Sequence, residues 1–154
     1  MKIGIISDTH DFLDPRVARL FKGVAHILHA GDIGMPALLL ELEFIAPVTA
    51  VAGNTDDPVL GYRLTQVVKL ANRKFLIHHI VDPYELRDEL KSQITRERPD
   101  VVVFGHTHKP FCEQIGEVLF FNPGYAGKQR FNLPRTVALL HCGGKGIRPE
   151  LFPL

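Results

Sequence analysis

The sequence has no tryptophan, three tyrosines and only two cysteines, Cys112 and Cys142. Two thiols cannot build a disulfide framework, so both are expected to be small packing residues in a reducing, cytoplasmic setting. Charge of one sign is lacking too: 18 Lys+Arg against 17 Asp+Glu leave a net +1. That balance supplies no overall field for duplex nucleic acid or an anionic membrane. No apolar run approaches the length of a membrane span, and the opening Met1–Ser7 reaches Asp8 too early for a signal-peptide core. Repeats, low-complexity tracts and Pro/Gly/Ser linkers are missing as well. A single domain over residues 1–154 is therefore expected.

What the chain does hold is enough apolar material for a core, with 45% hydrophobic and 23% charged residues. Lys2–Ile6, Ala25–Ala30, Val48–Val51 and Val101–Phe104 are short apolar runs that predict buried strands. Between the first three, Asp14-Pro15-Arg16 opens one predicted helix and Pro36–Glu43 forms another. Thr65–Leu70 and Lys74–His78 flank Ala71-Asn72-Arg73 as a predicted hairpin. Asp82-Pro83-Tyr84-Glu85 resembles a capping box and predicts a helix to about Arg96. Strand pairs around Gly116 and around Gly143-Gly144 close the pattern. Alternating β-α units followed by hairpins indicate a mixed α/β fold.

Eight histidines stand out, and His78-His79 and His106-Thr107-His108 are tight clusters. Each predicted strand runs into a metal-ligating type of residue, most of them following a Gly or Ser: Asp8, Asp32, Asn54, His78 and His106. Ligands gather outside the carboxyl ends of strands in α/β folds, where several loops converge. Gly31-Asp32 or Gly53-Asn54 alone is an ordinary turn dipeptide. Taken together, Asp, His, Asp, Asn, His, His, His in this order suits Mn²⁺, Fe, Zn²⁺, Co²⁺ or Ni²⁺ rather than Ca²⁺ or an all-thiolate site. Seven side chains exceed one tetrahedral zinc but suffice for two ions sharing a carboxylate.

The ordered set D-x-H, G-D, G-N, a strand-end His and G-H-x-H resembles the calcineurin-like metallophosphoesterases, and the short length resembles their small bacterial and archaeal phosphodiesterase branch. Asn122-Pro123-Gly124 is similar to that branch as well. The resemblance implies a four-layer α/β/β/α sandwich with the metal site at the strand C-terminal ends. It implies Asp8, His10 and His108 on one metal, Asn54, His78 and His106 on the other, and Asp32 as the bridge. The cofactors so implied are two divalent transition-metal ions, with manganese favoured for activity.

Such a centre hydrolyses small phosphodiesters by attack of a metal-bridging hydroxide, formed because the ions acidify water. Asn54 coordinates without adding negative charge and can turn its amide toward phosphate, so it is also read as catalytic. Related phosphomonoesterases often carry a histidine after that asparagine, whereas this chain has Thr55, which cannot act as a general acid near pH 7. The phosphodiesterase branch commonly has H-G-H where this chain has His78-His79-Ile80, which makes His79 a candidate substrate contact or acid. His26 and His141 read as structural, and His29 as a strand-end packing residue.

Two other functions compete. The retromer complex has a subunit resembling this fold that acts as a non-catalytic scaffold, but here all seven positions are filled. A nuclease would show a larger basic groove. The expected partner is a small phosphodiester, with no membrane or nucleic acid, and the sequence leaves the oligomeric state open.

Overall fold

The computed structural model describes residues 1–154. Lys2–Ile6 (β1) places Ile3 and Ile5 on one face and Gly4 and Ile6 on the other, as period-two alternation requires. It pairs in parallel with β2 (His26–His29), which pairs in parallel with β3 (Val48–Ala50). The crossovers carry α1 (Arg16–Leu20) and α2 (Pro36–Glu43). Phe21, which ends α1, lies so close to β1 that a Cβ on Gly4 would meet its ring at 2.9 Å, so Gly4 is what lets the helix pack there.

The hairpin β4 (Thr65–Leu70) and β5 (Arg73–His78) opens a second sheet. Leu70 pairs with Arg73, so the turn is Ala71-Asn72 alone, both at positive φ as a two-residue hairpin loop requires. After β5 come α3 (Asp88–Glu97), β6 (Val101–Val103), β7 (Pro110–Ile115) and β8 (Val118–Pro123). Last, β9 (Thr136–Gly143) and β10 (Gly146–Pro153) return to the first sheet. The sheet orders are β10-β9-β1-β2-β3 and β4-β5-β6-β8-β7.

Three apolar clusters fix the layers. Ile3, Ile5 and Leu28 of the first sheet meet Phe75, Ile77, Val103 and Phe121 of the second between the two sheets. Ile6, Ile27, Val17, Leu38 and Leu42 join the first sheet to α1 and α2, and Leu76, Val102 and Phe120 join the second to Leu90 of α3. The architecture is therefore the α/β/β/α sandwich. No helix is long and apolar enough to cross a membrane.

The start of one predicted helix moves. The helix expected from Asp82 begins at Asp88 instead. Asp82 spends its carboxylate locally on the N–H of Tyr84, and the Tyr84 hydroxyl bonds Glu113 of β7, so this stretch is a loop strapped to the second sheet.

Candidate metal centre

The parallel strands β1, β2 and β3 end on one rim of the sandwich, and β5 and β6 of the other sheet end beside it. Asp8, His10, Asp32, His106 and His108 there all have positive φ, between 45° and 70°. Such conformations cost side-chain-bearing residues free energy and persist only where the surroundings hold them. The loops are also in closest approach. A Cβ on Gly53 would collide with the Asp32 carboxylate and backbone N, and one on Gly105 with Ser7 and Asp8.

The two aspartates are held alike. Asp8 Oδ2 accepts from Ser7 Oγ at 2.6 Å and from the His106 N–H at 3.1 Å. Asp32 Oδ1 accepts from the Thr55 N–H at 2.9 Å. Each thus anchors one oxygen and presents the other to a ring of imidazoles. Asp8 Oδ1 lies 3.2 Å from His108 Nε2 and 3.9 Å from His79 Nε2, and Asp32 Oδ2 lies 3.3 Å from His79 Nε2 and 3.7 Å from His10 Nε2. Asp8 Oδ1 and His10 Nε2 are buried without a hydrogen-bond partner. A carboxylate oxygen and an imidazole nitrogen, both buried without a partner around one gap, are what a cation would satisfy through their lone pairs. Asp8, His10 and His108 form one potential cation cluster, and Asp8, Asp32 and His79 form a second. The donor set fits divalent metal.

Asn54 joins the second cluster, its Oδ1 being 3.1 Å from His79 Nε2 and 2.9 Å from His106 Nδ1. All of the expected ligand positions therefore converge except His78. Its Nδ1 bonds Thr65 Oγ1 at 2.8 Å, away from the carboxylates. The residue inside the cluster is His79, read from sequence as a substrate contact or acid. The reason is strand parity: Phe75 and Ile77 face the space between the sheets, so His79 follows them and His78 does not. His79 Nδ1 lies 2.7 Å from the Ala30 carbonyl, which can only accept, so Nδ1 carries a proton and Nε2 faces the carboxylates, where it donates to Asp32 when protonated and can offer a lone pair to a cation when not.

Burial opposes charge on His79, but its hydrogen bond to Asp32 and the charges of Asp8 and Asp32 outweigh it, so its pKa lies above the ordinary value. For Asp32, burial acts upward and is outweighed by the bonds from His79 and Thr55, which hold the carboxyl well below the usual range. Burial lowers His10, with the two aspartates only partly offsetting it.

Three supporting residues escaped the sequence reading. Asp56 accepts from the N–H groups of Ile33, Gly34 and Gly53 at 3.1, 2.9 and 2.8 Å, clamping the loops after β2 and β3 together. Tyr125, fully buried, stacks on His108 with centroids 5.0 Å apart. Thr9 Oγ1 donates to Ile33 O at 2.9 Å and lies 2.9 Å from His29 Nε2. Asn122, by contrast, belongs to a motif already noted: its amide donates to Gly105 O at 2.9 Å and to Thr107 Oγ1 at 3.2 Å, fixing the loop that carries His106 and His108.

His29 is fully buried, and Nδ1 accepts the Gly31 N–H at 3.2 Å, so the ring is neutral with its proton on Nε2. Burial pushes its pKa down to about 4. The unfolded chain binds a proton below about 6.5 that the folded one refuses. Stability should therefore be complete above that pH and fall by up to about 3 kcal/mol as pH drops toward 4. Urea melts across this range check it, and His29→Gln should remove that part of the slope.

The calcineurin-like phosphoesterase superfamily model matches residues 1–145. A probable metallophosphoesterase of Methanothermobacter thermautotrophicus is 34% identical, over 99% of this chain and 92% of its own. A phosphodiesterase of Methanocaldococcus jannaschii is 32% identical, over 96% of this chain and 97% of its own. Among solved structures, an archaeal phosphodiesterase superposes with a TM-score of 0.79 at 28% identity, covering 99% of this chain and 100% of that one. Zinc-complexed Vps29 of Entamoeba histolytica gives a TM-score of 0.73 at 24% identity, covering 99% of each chain, which shows a shared fold. The chain belongs to the calcineurin-like phosphoesterase superfamily.

Proposed function

We propose that the protein is a dinuclear metal-dependent phosphodiesterase acting on small phosphodiesters. The observation that carries this reading is the pair of ligand clusters meeting at Asp8 and Asp32. Asp8, His10, His108 and Asp32 would hold one divalent ion, and Asp32, Asn54, His79 and His106 the other. Ions bound there supply Lewis acidity toward phosphoryl oxygen and lower the pKa of water. The chain's own residues orient that chemistry. Asn54 turns Oδ1 into the cluster beside His79 Nε2 and His106 Nδ1, which leaves its amide NH₂ to donate to a phosphate oxygen without charge repulsion. The reading includes manganese as the activating metal and a cytoplasmic location, the latter supported by two free cysteines, Cys112 and Cys142.

Two ions per chain are expected when metal-stripped protein is reloaded with manganese and analysed for metal. Asp32→Asn should drop the count to one or none, because it weakens the carboxylate facing both clusters. A count that never exceeds one, with bis(4-nitrophenyl) phosphate still hydrolysed, would sink the dinuclear reading. Two bound ions without hydrolysis of any diester would instead favour a non-catalytic scaffold, the reading to which the likeness to Vps29 points.

Leaving-group departure is the harder half of the reaction. His79 has Nδ1 occupied by the Ala30 carbonyl and Nε2 by the cluster, and Thr55 cannot give up its proton usefully at neutral pH. Rates should fall steeply as the leaving group becomes more basic, and alkyl monoesters should be poor substrates. A graded series of aryl phosphodiesters checks this, and a flat dependence would reveal an acid that these assignments omit.

A further inference from the structure

Beside the metal centre lies a cleft of about 750 Å³, within the size range of small-molecule sites. Asn54 and His79 belong to both, so a ligand with phosphate at the centre would extend directly into the cleft. Ala52, Ile80 and Leu90 line its apolar part. Arg63, just before β4, and Arg87, at the start of α3, line it, and Glu89 is the one acidic residue among its lining.

Neither of these arginines is paired. The arginine ion pairs of the chain are made by Arg16, Arg73, Arg96, Arg135 and Arg148. Both Arg63 and Arg87 are exposed, on separate segments of chain, yet they line one cavity. Two guanidinium groups against Glu89 leave the cleft with a surplus positive charge where nothing in the fold uses it. Guanidinium forks match carboxylate and phosphoryl oxygens bidentately, and the apolar lining suits a ring or hydrocarbon body.

We infer that Arg63 and Arg87 form a specificity subsite for a second anionic group, carried on the apolar organic arm of the phosphoester. The inference rests on the phosphodiesterase reading for the position of the first phosphate. It names the substrate class more narrowly: esters whose organic arm bears a carboxylate or phosphoryl group. Glu89 then disfavours more highly charged arms by repulsion, and fixes where along the cleft the anion sits.

The test is calorimetric binding of 3-(phosphonomethyl)benzoate and of its carboxamide to manganese-loaded protein, with hydrolysis of bis(4-nitrophenyl) phosphate measured alongside. The wild type should bind the carboxylate about five- to tenfold more tightly than the carboxamide, as expected for partly exposed charge pairs. In the Arg63→Gln/Arg87→Gln double variant the two affinities should become equal, with binding of the carboxamide unchanged. Equal affinities in the wild type overturn the inference, as does a preference that survives the double substitution or a failure of both compounds to bind. The broader reading fails separately. A wild type that prefers the carboxylate but hydrolyses no diester has the subsite without the activity, and one that hydrolyses the diester without preference has the activity without the subsite.

Discussion

His79→Ala is expected to lower phosphodiester turnover at least about a hundredfold, whereas His78→Ala should leave kcat within about threefold of the parent. Losing an outer hydrogen-bond partner of a metal ligand already costs ten- to a hundredfold, and loss of the ligand should cost more. His79 is 3% exposed and reaches Asp32 at 3.3 Å and Asn54 at 3.1 Å. His78 bonds Thr65 Oγ1 at 2.8 Å, is in contact with none of the carboxylates of the cluster, and lines the cleft. Because His79→Ala also opens a small cavity, its activity alone is ambiguous, and metal-induced stabilisation resolves it. Manganese should raise the unfolding midpoint of the parent and of His78→Ala alike, through preferential binding to the folded state. In His79→Ala that gain should shrink while the metal-free midpoint falls less. The reverse pattern, with His78→Ala losing metal and activity, would restore the assignment suggested by the H-G-H resemblance.

That one-residue shift, from His78 to His79 beside the carboxylates, shows what the sequence could carry. Matching His78 to the first histidine of a motif ignored the strand beneath it, where Phe75 and Ile77 already set the inward parity that puts His79 on the same side. The signal was present and local. The convergence of the other candidate positions was legible because Gly or Ser before Asp8, Asp32, Asn54 and His106 marks the sharp turns at strand ends, and the close approaches at Gly53 and Gly105 show why side chains are excluded there. The Asp82 boundary was misread for a different reason: an aspartate two residues before an N–H makes the same local bond in a turn as at a helix start. Tyr125 and its stack on His108 carried no sequence signal, since the contact depends on how the segment after β8 folds back over the rim. Nor did anything in the spacing of Arg63 and Arg87 announce that they share a cavity.

Asp56→Ala should cost about 3–4 kcal/mol of stability and deplete the metal centre although Asp56 touches no proposed ligand atom. Its carboxylate is buried and receives three backbone N–H groups, two from the loop after β2 and one from the loop after β3. Hydrogen bonds to a charged acceptor contribute about 1.5–3 kcal/mol each, and truncation leaves all three donors short of a partner, some of them open to water. The consequence for the site follows from sequence neighbours. Ile33 and Gly34 succeed Asp32, and Gly53 precedes Asn54, so the clamp sets the distance between the shared carboxylate and the amide. Releasing it would loosen the Thr55 N–H bond to Asp32 as well. A displacement of about 1 Å at a reacting centre can cost a hundredfold in rate. Asp56→Asn keeps one acceptor oxygen but aims its NH₂ at the remaining N–H donors, so it should recover only part of the stability and part of the metal-induced gain in midpoint. Urea unfolding with and without manganese, on parent and both variants, supplies every quantity needed. If Asp56→Ala unfolds at the parental midpoint and still binds two ions, the loops are held by their backbone geometry alone and the clamp is incidental.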